Sequence, residues 1–378
     1  MTKAVLLRHH RVMQLSPTLA WLVDFASECP GADRLLAELG AHLLADGVPL
    51  AAGALTLEVP HPLIAKRTWL WRADNGRVIE ALGFAPGGLA PDLPDDAGRR
   101  WLRGIADGEV HEDVVGRDGP LLGWIGPRPF TSDDTEQLRQ AARFAATPLA
   151  ALAARATLRA TLEAYLGKRS AERVLAAPLR RDLGETIQAA LLYADLRGFT
   201  TLSETSPPVE IVAALDAWFD RIAGAVHAFG GEVLKFIGDG VLAIFPVVEA
   251  SPRRACEAAL RAAGAAEAGM AYLNAERGAQ GLPPLAFGAA LHLGEMLWGN
   301  IGAANRLDFT AIGPAVNLAS RLEGLCKPLG RTVLVSGALA AETDMPLIAL
   351  GLHKLRGIAS PCEVLALPEE QSSTSRPA

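Results

Sequence analysis

The spacing of apolar positions divides the chain near residues 155–185. Before that seam, short apolar runs separated by Pro and Gly (Ala54–Val59, Trp69–Arg72 and Leu121–Ile125) read as strands. From about Thr131 the recurrence lengthens to helical spacing through Leu138, Ala142, Ala145 and Leu149. Ser132 or Asp133 is placed to cap this helix and Glu136 falls in its first turn. Pro148 should kink or interrupt it. The pattern resumes at Leu152 and continues through Leu158, Leu162 and Leu166 towards Pro178, which predicts a long connecting helix.

Beyond the seam, strands and helices alternate. Ala189–Asp195 is a mostly apolar strand closed by an acid. Pro208 opens a helix whose Val212, Leu215, Trp218, Phe219, Ile222 and Val226 make one apolar stripe, stopped at Gly230-Gly231. In EVLKFIGDGVLAIFP, two apolar segments flank Gly238-Asp239-Gly240, a turn that needs positive φ and so predicts a hairpin. A helix over roughly Ser251–Asn274 follows, then a strand through Ala286–His292 and a helix from Pro314 to about Cys326. Two short strands, near 331–336 and 362–367, complete the pattern. This order predicts an α+β arrangement with helices on a mixed or antiparallel sheet.

Composition narrows the function classes. A chain of 378 residues holds on the order of two domains. With 50% hydrophobic and 21% charged residues it can build real cores. The balance of 36 basic against 42 acidic residues, a net charge of −6, argues against a nucleic-acid partner. The longest run without a charged side chain, 278–294, carries Gln280, Pro283 and Pro284, so no membrane span is expected. The opening MTKAVLLRHHR has no long apolar segment of the secretory kind. Cys29, Cys256, Cys326 and Cys362 lie far apart, which excludes a cysteine zinc site of the usual spacing and gives no disulfide framework. A soluble, reduced, cytoplasmic protein is the expectation.

Candidate chemistry gathers at two acids. Asp195 closes a strand and Asp239 sits at the hairpin tip. An acid at a tight turn is commonly just a turn former. An acid closing an apolar strand is costly unless something pairs it. If the two strands are neighbours, the carboxylates converge, as hard divalent ions such as Mg²⁺ require, and such ions also bind substrate phosphates. In GPAVNLASRLEGL, Asn317 and Arg321 are four apart and project from one helix face. They are either ordinary surface or a donor and a fixed charge for a phosphate.

Together these segments resemble the homology domain of the class III adenylyl and guanylyl cyclases. The matching runs are ADLRGFTTLSE (194–204), GGEVLKFIGDGVLAIFP (230–246), LHLGEMLWGNIG (291–302) and RLDFTAIGPAVNLASRLE (306–323), with LRGI (355–358) fitting a late phosphate-contact segment. The resemblance covers roughly 185–368 and implies a ferredoxin-like βαββαβ fold. It implies that Asp195 and Asp239, with the backbone at Leu196, hold two divalent ions per site, Mg²⁺ or Mn²⁺. The loop through Gly198 and Phe199 would help hold metal and triphosphate, since Gly198 lets main-chain amides approach closely. Lys235 and Thr310 would read the purine, a pair that favours ATP where guanylyl cyclases usually carry Glu and Cys; a generic phosphate-attracting charge is the other reading of Lys235. Asn317 would orient the ribose and Arg321 stabilise the pentavalent phosphorus. Arg356, where the family commonly has Lys, would bind the β- and γ-phosphates, with Arg306 as a further phosphate contact.

In this family the aspartates and the Asn/Arg pair of one site come from different subunits. One such domain per chain implies a head-to-tail homodimer with two composite sites. The implied reaction is attack of the ribose 3′-hydroxyl on the α-phosphorus of ATP, with pyrophosphate leaving. His292 reads as a packed or surface histidine, and no protein general base is assigned.

Residues before the seam carry no catalytic constellation. His9 and His10, beside Arg8 and Arg11, read as a solvated start. Trp69, Trp71, Trp101 and Trp124 either line a small-molecule pocket or fill a core. The segment GPLLGWIGPRPFTSDDTEQLRQAARFAATPLAALA resembles the last strand and closing helix of a GAF-like sensor domain. The expected organisation is an α/β GAF-like regulatory domain over 1–155 that takes a small-molecule or protein effector, a connecting helix over 156–184, a catalytic domain over 185–368 and a disordered tail over 369–378. The expected activity is adenylyl cyclase. The alternatives are a guanylyl or dual-specificity cyclase, or a silent nucleotide-binding module of the same fold.

Overall fold

The computed structural model describes residues 15–58, 64–84, 97–116, 119–176, 184–248, 251–303 and 305–368. The expectations for His9, His10 and the 369–378 tail lie outside these residues. The chain divides into two compact units, Met1–Ala160 and Thr161–Ala378.

In the first unit, α1 (Pro17–Asp24) and α2 (Ala32–Ala45) precede β1 (Ala52–Glu58), β2 (Ile64–Arg72) and β3 (Val78–Phe84). Then come α3 (Ala97–Arg103), β4 (His111–Val114), β5 (Leu121–Ile125), α4 (Ser132–Phe144) and α5 (Ala146–Leu166). The strands form an antiparallel sheet in the order β3-β2-β1-β5-β4. Its core joins Leu35, Leu39, Leu55, Leu122 and Leu138 to the rings of Trp69, Trp71 and Trp124. Trp71 meets Trp124 edge-on, with centroids 6.1 Å apart. Trp101 packs on a smaller cluster that includes Leu102 and Ile125. The tryptophans therefore fill cores. A separate cavity of about 220 Å³ is bordered by Thr56, Arg99, Glu112 and Gly123 among others.

The start of α4 corrects one expectation. Thr131, rather than Ser132 or Asp133, is the cap: its hydroxyl accepts the Asp134 N–H at 3.2 Å, and the Asp134 carboxylate accepts the Thr131 N–H at 2.8 Å. The interruption expected from Pro148 falls at Ala145, which places the proline in the first turn of α5, where a missing N–H matters least. The connecting helix is not continuous either. It stops at Leu166, Gly167 turns the chain at φ +80°, and a new helix begins.

The second unit runs α6 (Lys168–Ala176), β6 (Gly184–Leu196), α7 (Phe199–Thr205), α8 (Pro208–Ala228), β7 (Glu232–Ile237) and β8 (Gly240–Pro246). It continues with α9 (Pro252–Ala279), β9 (Phe287–Ala303), β10 (Arg306–Ile312), α10 (Pro314–Glu323), β11 (Val333–Ser336), α11 (Gly337–Ala340), β12 (Ile348–His353) and β13 (Cys362–Ala366). The sheet order is β12-β13-β11-β9-β6-β8-β7, with β10 paired to β9. β11 lies parallel to β9, and the other described pairings are antiparallel. Period-two alternation along β6 feeds both faces. Ala190, Leu192 and Ala194 meet Trp218, Ile222 and Val226 of α8 and Leu260 and Met270 of α9. Ala189 and Leu191 meet Ala315 and Ala319 of α10 on the opposite face.

Three elements differ from expectation. Val212 is 57% exposed, so the buried stripe of α8 is Ala214, Trp218, Ile222 and Val226. β9 runs on past His292 to Ala303, through the Gly294-Glu295 step that reads as a strand end. β12 is an additional strand, an exposed edge with an irregularity between Ala349 and Gly351. At the entry to this unit, Glu232 of β7 is buried and accepts three hydrogen bonds from the first turn of α6: from the N–H of Arg169 at 3.2 Å, and from the N–H and hydroxyl of Ser170 at 3.1 Å each. Among the described residues, no helix is long and apolar enough to cross a membrane.

Candidate active site

Strand register brings the two acids together. The β6–β8 ladder ends at Ala194 opposite Val241, so the next step along β6 sets Asp195 beside Gly240. β7 and β8 close at Ile237 opposite Gly240, which leaves Gly238 and Asp239 as a two-residue turn with Gly238 at φ +64°. Asp239 is thus the neighbour of the residue that Asp195 faces. A Cβ on Gly240 would come within 3.2 Å of the Tyr193 hydroxyl and 3.4 Å of Asp195 Oδ1, so a side chain there would crowd the acid. On the other flank Asp195 pairs with Gly288.

The carboxyls of Asp195 and Asp239 lie close enough to act on one another directly. Asp195 is held well above the ordinary carboxylate range, first by burial, then by the charge of Asp239 and by the charge of Glu323. Glu323 is itself raised by burial and by Asp239, against the lowering effect of Arg197. The chain after Asp195 is fixed by Arg197, whose N–H donates to Ala286 O at 2.8 Å and whose guanidinium donates to Arg331 O at 2.5 Å. Leu196 is buried, Gly198 takes φ +75° at the head of α7, and Phe199 packs on the core below α8.

Two side chains that sequence reasoning did not place in the site bear on it directly. The indole N–H of Trp218, fully buried on α8, donates to the main-chain oxygen of Asp239 at 2.8 Å. Trp218 was visible only as a member of an apolar stripe. The second is Asp308 of β10, whose carboxylate is ion-paired with the ammonium of Lys235. Thr310 lies two residues further along the same strand, on the same face.

α10 presents two faces. Ser320 lies by Tyr193 and Glu323 acts on Asp239, so that side looks onto this chain's own acids. Asn317 and Arg321 are exposed and sit roughly 100° round the helix from it, at 100° per residue. Among the described residues, no hydrogen bond or ion pair joins them to Asp195 or Asp239. Arg306 and Arg356 are exposed as well. The single chain therefore assembles the acid pair and the Lys235 region, and leaves Asn317 and Arg321 facing outward.

A convergent carboxylate pair at adjoining strand ends is a donor set of the kind that hard divalent ions take. Residues 184–342 match the adenylate and guanylate cyclase catalytic domain. The chain carries a domain of this class III nucleotide cyclase family. It is 37% identical over 179 residues to adenylate cyclase 1 of Rhizobium meliloti, covering 47% of this chain and 27% of that protein. It is 33% identical over 165 residues to an adenylate cyclase of Anabaena cylindrica, covering 43% of this chain and 32% of that protein. The matched part spans less than a third of the length of either curated relative. The structure of a bacterial light-regulated adenylyl cyclase shares the fold, at 21% identity and a TM-score of 0.51, over 68% of this chain and 85% of that one.

The family generally uses divalent metal ions, and the donor set fits one. Two hard carboxylate groups converge at adjoining strand ends, where a cation would offset the charge that each imposes on the other. Among the described residues no cluster of three or more His, Cys, Asp or Glu forms a cage. A hard divalent ion can also be held by one or two carboxylates and completed by water and substrate phosphates.

Proposed function

We propose that this chain is an adenylyl cyclase that converts ATP to 3′,5′-cyclic AMP and pyrophosphate at composite sites in a head-to-tail homodimer. The observation that carries the reading is the Asp195–Asp239 pair at adjoining strand ends. Asp195, Asp239 and the main chain of Leu196 would hold two ions, Mg²⁺ or Mn²⁺. When bound, such ions neutralise triphosphate charge and lower the pKa of a coordinated hydroxyl. The ribose 3′-oxygen bonds to the α-phosphorus while the bond from that phosphorus to the α–β bridging oxygen breaks and pyrophosphate departs. Asn317 orients the ribose and Arg321 holds the charge that builds on the pentavalent phosphorus. Arg356 and Arg306 hold the outer phosphates, and the amides around Gly198 and Phe199 line the triphosphate. Lys235 donates to a ring nitrogen of adenine and Thr310 accepts from its exocyclic amine. His292 is buried and bonded to Ser336, so the 3′-proton leaves through water or a substrate phosphate oxygen rather than a histidine.

The outward face of α10 supports the dimer: Asn317 and Arg321 reach a second chain's acids more readily than their own. The order β9-β6-β8-β7, crossed by α8 and α9, supports the ferredoxin-like reading of 185–368. In the first unit, the succession of β5 and α4 supports the reading of 1–155 as a GAF-like regulatory domain that takes a small-molecule or protein effector. A cytoplasmic location accords with this substrate.

Complementation tests the whole reading. Asp239→Ala and Arg321→Ala chains are each expected to be inactive alone. Mixed, about half the dimers carry one site with both defects and one with neither, so part of the activity returns. A mixture that stays inactive although mixed dimers are shown to form would sink the composite-site reading.

A further inference from the structure

α6 is fastened to both of the strands that lead to the proposed base slot. At its first turn, Arg169 and Ser170 give Glu232 of β7 its three hydrogen bonds. One turn on, the guanidinium of Arg173 lies over the ring of Trp298 of β9, 4.4 Å from its centroid, and donates to Glu185 of β6 at 2.6 Å. Glu185 and Trp298 face one another across the β6–β9 ladder, so Arg173 grips both members of one cross-strand pair. Ser170 and Arg173 are three residues apart, which puts the two anchors on one side of the helix, about 5 Å from each other along its axis.

Each anchor adjoins a base reader. Leu234, next to Lys235, and Trp298 belong to one buried cluster. Phe309 and Ala311, the residues on either side of Thr310, pack in the same cluster, and Phe309 meets Trp298 edge-on with ring centroids 5.5 Å apart. The strands that carry the two readers are set apart, because β6 and β8 separate β9 from β7. Among the described residues β7 pairs with β8 alone, and that ladder shifts register between Val233 and Lys235, directly ahead of the lysine. A single ladder with a shift at that point sets the place of Lys235 loosely.

We propose that α6 is a strut for the base slot, with Glu232 and Arg173 as its positioning residues. Glu232 holds the strand of Lys235, Arg173 holds the strands that support Thr310, and the helical turn between them fixes the spacing at which the two readers meet the purine. The inference rests on the cyclase reading above and deepens it. A hydrogen bond weakens steeply outside a narrow range of distance and angle, so two readers on separated strands discriminate between bases only when their spacing is fixed. The side chains of Arg173 and Glu185 are 40% and 59% exposed, where an ion pair adds little to stability. Loss of the Arg173 anchor can therefore be read in a protein that still folds.

Arg173→Ala frees one end of the strut, and Arg173→Lys keeps a cation over Trp298. Glu232→Gln frees the other end, because the amide turns one acceptor into a donor that faces the donors of α6. The affinities of the full-length variants for 3′-deoxy-ATP and 3′-deoxy-GTP, which lack the attacking hydroxyl, are measured by calorimetry beside steady-state kinetics and melting temperatures. Arg173→Ala should weaken 3′-deoxy-ATP binding about fivefold, the scale of one misplaced hydrogen bond, and lower the ATP-to-GTP affinity ratio by a similar factor. KM for ATP should rise more than kcat falls, and the melting temperature should stay within about 2 °C. Arg173→Lys should recover most of the ratio. Glu232→Gln should lower the same ratio and the melting temperature as well. A strut free at one end no longer sets the spacing, so the double variant should lose no further selectivity although its melting temperature falls further. Unmoved affinities and ratio in folded Arg173→Ala and Glu232→Gln proteins, or effects on the ratio that simply multiply in the double variant, overturn the inference and leave the cyclase reading standing. A wild-type protein that turns over neither ATP nor GTP overturns both.

Discussion

His292 gives the second unit a calculable response to acid. It lies on β9 at 8% exposure, with Nδ1 2.9 Å from Ser336 Oγ. That oxygen also accepts the N–H of Leu339 at 3.4 Å as the cap of α11, which leaves its hydroxyl hydrogen for Nδ1. Burial lowers the imidazole from 6.5 to about 4. The unfolded chain takes up this proton as pH drops through 6.5, and the folded chain does so only near 4. The stabilisation is therefore complete above 6.5, is lost as pH falls from there to about 4, and is gone below. At 1.36 kcal/mol per pH unit the whole effect is about 3 kcal/mol, of which about 2 kcal/mol is lost by pH 5. His292→Gln keeps a polar end near Ser336 and does not titrate. Urea unfolding of the second unit at about pH 7.5 and about pH 5, in both proteins, isolates the group because the other titrations are common to both. The stability gap between wild type and variant should narrow by about 2 kcal/mol on acidification. Parallel curves would refute a histidine held neutral by burial.

Asp195→Ala or Asp239→Ala should abolish metal-dependent cyclic AMP formation in a folded protein; activity within about tenfold of wild type, a barrier change of about 1.4 kcal/mol, would defeat the metal-pair reading. Changing Lys235 to Glu and Thr310 to Cys together should shift the ATP-to-GTP ratio of kcat/KM towards GTP even if turnover falls, and an unmoved ratio refutes base reading at this pair. Trp218→Phe keeps the ring and removes the donor to Asp239 O, so stability should fall by about 1–3 kcal/mol. The same change should weaken Mn²⁺ binding measured directly by titration, and unchanged Mn²⁺ affinity would show that the indole bond does not hold the turn.

Local signals made the acid pair legible. An apolar run ending in Asp195 and a Gly-Asp-Gly turn between two apolar runs are each sequence-local, and β6–β8 register only had to make them neighbours. The i,i+4 spacing likewise placed Asn317 and Arg321 on one exposed face. What stayed hidden depends on long-range placement. The Lys235–Asp308 pair needs β10 folded back along β9 before the two residues meet, and no periodicity reports that. The donor role of Trp218 is hidden because its apolar body already accounts for its place in a helix stripe. β12 escaped notice because an exposed edge with an irregular register lacks clean alternation. β9 looked shorter than it is because Gly294 and Glu295 resemble a strand end, although tertiary pairing with β6 and then β10 carries the strand through.

Glu232 decides where the catalytic unit begins as a folding unit. The matched family segment starts at residue 184, with β6. A polypeptide started there would lack Arg169 and Ser170 and leave a carboxylate that is 5% exposed without its three donors. Water would then take the place of the donors, and at about 0.5–1.5 kcal/mol net for each lost hydrogen bond the truncation costs a few kcal/mol, against a total of about 5–15 kcal/mol for a typical domain. The first turn of α6 thus serves Glu232 as water serves a carboxylate at the surface. The smallest fragment that keeps that solvation starts at or before Gly167, one helix upstream of the segment that carries the chemistry.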